Sequence, residues 1–250
     1  NEFMFITSKG GIKKTSLDRF ETNYSKLMAL KLRNDEELIN VKLLKKDREE
    51  KFLKLQTKMG LNFTIEEPSV DEEDRNILSN VFCTLGYRDE ITKVEFQDKG
   101  EFFIFHLNVN KNGNIIKGNR KNKSSISLEV DSNKKLLLFL KNGEVIKINC
   151  NMLQTLEGKA INIFSLLEKS QEKNEIINVL SFDSNDKDLE VYYFTKLGLV
   201  KKTLIKEFQE EYFITTGYKF REKEDEIIAV DFSKSNEKSD IIIISKKGMC

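Results

Sequence analysis

Lysines gather around glycines at regular points along this chain. Lys9, Lys13 and Lys14 surround Gly10, Lys58 precedes Gly60, Lys141 and Lys147 flank Gly143, Lys196, Lys201 and Lys202 flank Gly198, and Lys246 and Lys247 precede Gly248. Arg19 and Lys26 follow the first group, and Lys117, Arg120 and Lys121 lie in the run from Lys111 to Lys123, which holds no acid. Ammonium and guanidinium groups at equivalent turns, with Thr15 and Thr203 nearby as hydroxyl donors, suit contacts to phosphate oxygens. Such contacts hold a duplex without reading its bases. Against 42 Lys and Arg stand 41 Asp and Glu, a net charge of +1, so binding of this kind rests on segregated charge and not on bulk charge.

Other chemistry is poorly supplied. The single histidine, His106, sits in the strand pattern Phe103-Ile104-Phe105-His106-Leu107 and reads as structural, so no Ser/His/Asp or Cys/His relay can be assembled. There is no Gly-rich phosphate loop and no dinucleotide fingerprint. Cys83, Cys150 and Cys250 are far apart and read as buried free thiols of a reducing cytoplasm, without metal-ligand spacing. The acidic clusters Asp35-Glu36-Glu37, Asp71 to Asp74 and Glu222 to Glu226 fall in repeat turns, where solvated charge is expected. No apolar run approaches the roughly 20 residues of a membrane span, and Asn1 to Lys14 lacks a signal-peptide core. The expectation is a cytoplasmic domain without catalytic, metal or cofactor site, read as a piece of a larger protein because it starts and stops close to strands.

The elements that would carry the lysines form a repeat. Phe5 to Thr15 aligns with Tyr193 to Thr203, and weaker copies run through Leu55 to Leu61, Asn110 to Lys117, Phe139 to Lys147 and Ile244 to Met249. Each copy is two β-rich runs around a glycine, the signature of a hairpin, because glycine takes positive φ without steric cost. A further strand closes each unit after an acidic turn: Glu37 to Val41, Glu90 to Val94, Glu175 to Val179 and Glu226 to Val230, with Ile126 to Val130 serving the short third unit. Leu27 to Leu32 and Ile161 to Leu166 read as the fourth strand of their units. Short helical turns are expected at Ser16 to Phe20 and Leu204 to Glu211, and a solvated acidic loop at Glu66 to Asp74 with a possible helix start at Ser69. Units of about 50 residues match propeller blades. The fold is therefore all-β, a single domain over 1–250: a propeller-like ring of about five to six four-stranded blades. The units are 2–44, 50–97, 100–131 (degenerate), 134–183, 188–233 and 239–250 (partial).

Lys9-Gly10-Gly11-Ile12-Lys13-Lys14-Thr15-Ser16-Leu17, with Tyr24 to Leu32 and Asp35 to Val41, resembles a blade of the C-terminal domain of the A subunit of bacterial type IIA topoisomerases. Leu189 to Phe232 and Leu136 to Phe182 resemble others, Phe52 to Phe96 less so, and Gly100 to Val130 poorly. The resemblance implies a β-pinwheel, in which hairpins are exchanged between blades, that binds or bends DNA on a basic rim. It also implies partners: duplex DNA, the breakage-reunion domain of the same A subunit and the ATPase B subunit, with the catalytic tyrosine, ATP and Mg lying outside this chain. Gyrase A subunits carry a Gln-Arg-Arg-Gly-Gly-Lys-Gly box in a blade loop. Here the corresponding loop reads Glu21-Thr22-Asn23-Tyr24-Ser25-Lys26, which is closer to the topoisomerase IV A subunit, with gyrase as the alternative. A monomeric, nucleoid-associated domain is expected. A protein-interaction propeller, indifferent to DNA, is the rival reading.

Overall fold

The computed structural model describes residues 1–45, 49, 51–98, 103–118, 125–153, 156, 160–168, 174–183, 185–209, 212–235 and 241–244. Five antiparallel hairpins recur: β1 (Glu2–Thr7) with β2 (Gly11–Ser16), β4 (Phe52–Thr57) with β5 (Asn62–Glu66), β8 (Ile104–Asn110) with β9 (Asn114–Lys117), β11 (Lys135–Leu140) with β12 (Glu144–Asn149), and β15 (Leu189–Thr195) with β16 (Val200–Leu204). Each turns at a glycine with φ between 78° and 83°: Gly10, Gly60, Gly113, Gly143 and Gly198. In three turns a threonine also accepts a backbone N–H four residues on, Thr7 from Gly11, Thr57 from Leu61 and Thr195 from Leu199. Glycine conformation and local hydroxyl bonding thus make the turn before any long-range contact forms.

The closing strands are β3 (Leu38–Leu44), β7 (Ile91–Gln97), β10 (Ser125–Asp131), β14 (Ile176–Phe182) and β18 (Ile227–Lys234), each paired to the first strand of its hairpin. In four repeats the register slips at the same place, beside Thr7, Thr57, Leu140 and Thr195. A buried acid or amide sits at this bulge: Glu36, Asp89, Asn174 and Asp225. Asp89 accepts from the backbone N–H groups of Met59 and Glu90, Asn174 from Asn142 and Glu175, and Asp225 from Leu197 and Glu226. The acidic turn is therefore partly internal; it ties the closing strand to the hairpin tip.

The fourth strand departs from expectation. Short strands β6 (Asn80–Val81), β13 (Ala160–Asn162) and β17 (Ile214–Thr216) do not join their own repeat; each pairs with the second hairpin strand of the repeat before, giving the orders β3-β1-β2-β6, β10-β8-β9-β13 and β14-β11-β12-β17. Three of the five blades are thus completed by their successors. The third repeat, expected to be degenerate, has a four-stranded sheet; only the connection from β9 to β10 is short. Its neighbour bears the consequence, for β5-β4-β7 is three-stranded among the described residues, as is β16-β15-β18. At β5 the edge is met by a 3-10 turn, Cys150–Leu153, where the Asn151 amide donates to the Thr64 carbonyl at 2.9 Å.

Two further readings change. Leu27 to Leu32 forms no strand, only an isolated bridge from Lys31 to Leu78, and in Ile161 to Leu166 the strand gives way after Asn162 to a 3-10 turn at Ile163–Leu166. Ser69 closes the 3-10 turn Glu67–Ser69 in place of opening a helix, and Glu67 is buried. The helical turns expected near Ser16 and Leu204 are 3-10 turns at Leu17–Phe20 and Ile205–Phe208.

The core lies between sheets. Leu136 to Leu140 are all buried, because β11 has neighbours on both faces, and two clusters share its alternating side chains: Leu136, Leu138 and Leu140 with the first, Leu137 and Phe139 with the second. Period-two alternation thus links successive blades, each buried Leu or Phe contributing about 1.5–3 kcal/mol. Backbone hydrogen bonds reinforce the junctions at one recurring place: Ile91 donates to the Ser8 carbonyl, Ile176 to Lys111 and Ile227 to Lys141, at 2.8–2.9 Å. Among the described residues no helix is long and apolar enough to cross a membrane.

Candidate nucleic-acid interface

The structure sorts the candidate basic residues into three groups. The first is internal and corrects the sequence reading: Lys13 and Lys147 are fully buried. The Lys13 ammonium donates to the carbonyls of Ala29 (3.2 Å), Asp74 (2.8 Å), Ile77 (3.4 Å) and Arg75. The Lys147 ammonium donates to Phe208 and Gln209 at 3.2 and 3.4 Å and stands 4.3 Å from the Tyr212 ring centre. Burial lowers the Lys13 pKa from its ordinary value, while the Glu73 and Asp74 carboxylates pull it back up. Both side chains lie on the strand that receives the exchanged segment and grip the main chain leading to it. They are latches of the fold, since an ammonium already surrounded by carbonyls has no donor left for phosphate.

The second group stands at the turns, paired with the acids that open the closing strands. Lys58 meets Glu90 at 3.3 Å, and Lys196 meets Glu226 at 3.6 Å within one repeat. Lys141 reaches Glu226 of the next repeat at 3.3 Å, Lys111 reaches Glu175 at 3.8 Å, and Lys9 donates to the Asp89 carbonyl at 3.4 Å. The expected basic belt is thus largely a belt of ion pairs, two within a repeat and two across blade junctions. At this exposure each pair contributes about 0.2–1 kcal/mol. The acids were visible in sequence as strand openers; their role as partners of the turn lysines was not, because the pairs join residues about 30 or more positions apart by way of the fold.

The third group is partly or fully open to solvent. Half-buried Lys14 and exposed Lys26 have no acidic partner among the described residues, and Lys26 lies beside Tyr24, which is 78% exposed. Lys201 is exposed with its ammonium on the Gly217 carbonyl at 2.8 Å, and exposed Lys202 pairs with Glu190 at 2.9 Å, which raises the lysine pKa, while the Tyr192 hydroxyl and then Lys202 lower that of the acid. Arg19 pairs with Asp74 at 3.3 Å on the surface. Lys117 packs over Phe103, 4.7 Å from the ring centre. Arg120, Lys121, Lys246 and Lys247 lie outside the described residues. The accessible cations thus concentrate on the first and fifth repeats.

Among the described residues neither an exposed thiol nor a metal cluster competes with this surface. Cys83 and Cys150 are buried, and burial pushes the Cys150 thiol up to about 12. His106 lies on β8, an inner strand of its sheet, 3.6 Å from Glu129, its cross-strand partner. Among the described residues no three His, Cys, Asp or Glu side chains gather as a metal site.

Strand-exchanged antiparallel blades, three of them completed by the repeat that follows, define the class: an all-β propeller-like domain of the pinwheel type. A family model described as "DNA gyrase C-terminal domain, beta-propeller" matches residues 1–45 and 190–234, the first and fifth repeats from end to end. Those two repeats are thus similar to the repeat of that family, while the match does not extend over residues 46–189. Among solved structures it is similar to the C-terminal domain of DNA topoisomerase IV (16% identity, 93% of this chain and 77% of that one, TM-score 0.41). It is similar also to the DNA gyrase A C-terminal domain (12%, 92% and 98%, TM-score 0.30) and the E. coli ParC C-terminal domain (11%, 93% and 98%, TM-score 0.35). A search of curated proteins gives no match.

Proposed function

We propose that this chain is a non-catalytic domain, one unit over 1–250, that holds duplex DNA for the strand-passage reaction of a bacterial topoisomerase IV whose breakage-reunion domain, B subunit and ATP chemistry lie elsewhere. The observation that carries the reading is a coincidence of two properties. The repeats that match the family model are the same two that leave Lys26 and Lys201 exposed without an acidic partner, with half-buried Lys14 and the glutamate-paired Lys202 beside them. Ammonium groups on two blades contact phosphates along a curved path, which positions and bends a duplex without base readout. Because most turn lysines are already paired with glutamates, few phosphates are neutralised. The reading therefore predicts weak binding with a shallow dependence on salt.

Topoisomerase IV is preferred to gyrase for the first-repeat loop, where Glu21-Thr22-Asn23-Tyr24-Ser25-Lys26 stands in place of a Gln-Arg-Arg-Gly-Gly-Lys-Gly run. The test is an electrophoretic shift of long duplex DNA over a salt series, with the Lys14→Glu, Lys201→Glu, Lys202→Glu triple variant alongside. Binding at low salt that the triple variant loses while staying folded supports the proposal, and no binding at the lowest salt ends it. Ligation of nicked circles on the domain decides the finer point. Little change in linking number fits topoisomerase IV, and a strong change fits gyrase.

A further inference from the structure

Glu36, Asp89, Asn174 and Asp225 occupy the same buried place at the entry to a closing strand, and one of them carries more charge than the place requires. Asn174 shows that a single side-chain oxygen suffices: its Oδ1 accepts the N–H groups of Asn142 and Glu175. Asp89 makes the same two bonds through Oδ1, to Met59 and Glu90, and, alone among the four, has a second oxygen, Oδ2, buried without a hydrogen-bond partner. In Glu36 both oxygens are used, by the Thr7 hydroxyl and the Arg33 N–H. A carboxylate only 1% exposed costs more to bury than the amide that would serve in its place. The repeat therefore accounts for one oxygen of Asp89 and not for the other.

Asp89 forms part of the wall of a cavity of about 230 Å³ where the first, second and fifth repeats meet. Lys9 comes from the turn of the first hairpin, Val81 and Leu85 from the exchanged segment of the second repeat, and Tyr212 and Phe213 from the chain ahead of β17. Backbone hydrogen bonds fix the frame: Phe82 donates to the Gly10 carbonyl at 3.0 Å, Asp89 to Gly86 at 3.1 Å and Lys147 to Phe213 at 2.9 Å. The half-buried Lys9 ammonium bonds the main-chain carbonyl of Asp89 at 3.4 Å and not its carboxylate, so it keeps N–H donors for a further acceptor. The cavity lies below the size that holds drug-like molecules, so its occupant is small. We propose that it binds a small zwitterion with an apolar body, an α-amino acid of the leucine class. The ligand ammonium sits on Asp89, its carboxylate on Lys9, and its side chain against Val81, Leu85 and Phe213. A simple cation would meet Lys9 and a simple anion Asp89, so a molecule carrying both charges is the one that complements the pair. This site does not rest on DNA binding.

Calorimetric titration of the full chain with L-leucine tests this. The expected result is a single site with a Kd of about 1 mM or tighter. 3-Methylbutylamine and 4-methylpentanoate, each lacking one of the two charged groups, should bind at least about tenfold more weakly. Asp89→Asn, patterned on Asn174, keeps the two backbone bonds and with them the urea midpoint, and should weaken L-leucine binding at least about tenfold. Asp225→Asn, the same change at the equivalent place away from the cavity, should leave binding as it is. Lys9→Met removes the other charged contact without touching the strand entry, and the same loss is expected from it, so the test holds even if Asp89→Asn fails to fold. No heat with L-leucine, L-isoleucine or L-valine up to about 10 mM overturns the proposal. Binding by folded Asp89→Asn or by Lys9→Met that equals the parent chain also overturns it, as does equal binding of the amine alone.

Discussion

The hairpins of the first and fifth repeats are nearly the same in sequence, Gly11-Ile12-Lys13-Lys14-Thr15 against Leu199-Val200-Lys201-Lys202-Thr203, yet Lys13 is fully buried and Lys201 is exposed. The turn, the register and the closing strand match. What differs is the edge: β2 receives β6 and the chain that leads to it, whereas no strand pairs with that edge of β16 among the described residues. The burial of the lysine is therefore a property of the following repeat. One motif serves as an internal latch where a successor covers it and as a surface cation where none does.

The largest way to break this comparison is to remove the latch. Lys13→Met leaves several carbonyls without their donor and should cost about 3 kcal/mol or more, while Lys201→Met should stay within about 0.5 kcal/mol; urea midpoints of the two variants decide, and equal shifts would refute the distinction. Turn glycines offer a second contrast. Gly143→Ala would drive its methyl against the Tyr218 backbone, whereas a methyl at Gly198 meets nothing within 4 Å. Both carry the penalty of positive φ, about 1–2 kcal/mol, but Gly143→Ala should add about 1–3 kcal/mol for overpacking, visible as a lower melting temperature.

Next comes the buried acid. Asp225→Ala strands the N–H groups of Leu197 and Glu226 and should cost about 1–2 kcal/mol, with faster hydrogen exchange at those two amides as the local signature. The smallest effect is expected at the ion-paired rim. Lys58→Ala or Lys196→Ala should change stability by less than about 0.5 kcal/mol, and a larger loss in a urea titration would show that the pairs hold the blades together.

Much of the repeat was legible because its signals are local. Gly10, Gly60, Gly113, Gly143 and Gly198 mark turns through their own backbone freedom, and Glu37, Glu90, Glu175 and Glu226 mark strand entry within a few residues. The candidate site was less legible. Lys13 and Lys14 are neighbours in an exposed-looking basic run, and only the passage of residues 74–77 over β2 shows that one of them is internal. Likewise Glu226 looked like solvated charge, until Lys141 from the preceding repeat and Lys196 from its own both proved to reach it.

By itself the sequence determined the unit: a hairpin around a left-handed glycine and a closing strand entered from an acidic turn, both set by short-range backbone chemistry. Tertiary structure alone decided which repeat each short fourth strand completes, and with it which lysines face water. The physical reason is that an edge strand's open hydrogen-bonding groups accept any suitable strand, so the partner is chosen by connection length and packing between blades. Because the connection after β9 is short and that after β16 long, β5 receives no strand among the described residues while β12 is covered by β17, and the same lysine chemistry is internal on one blade and available on another.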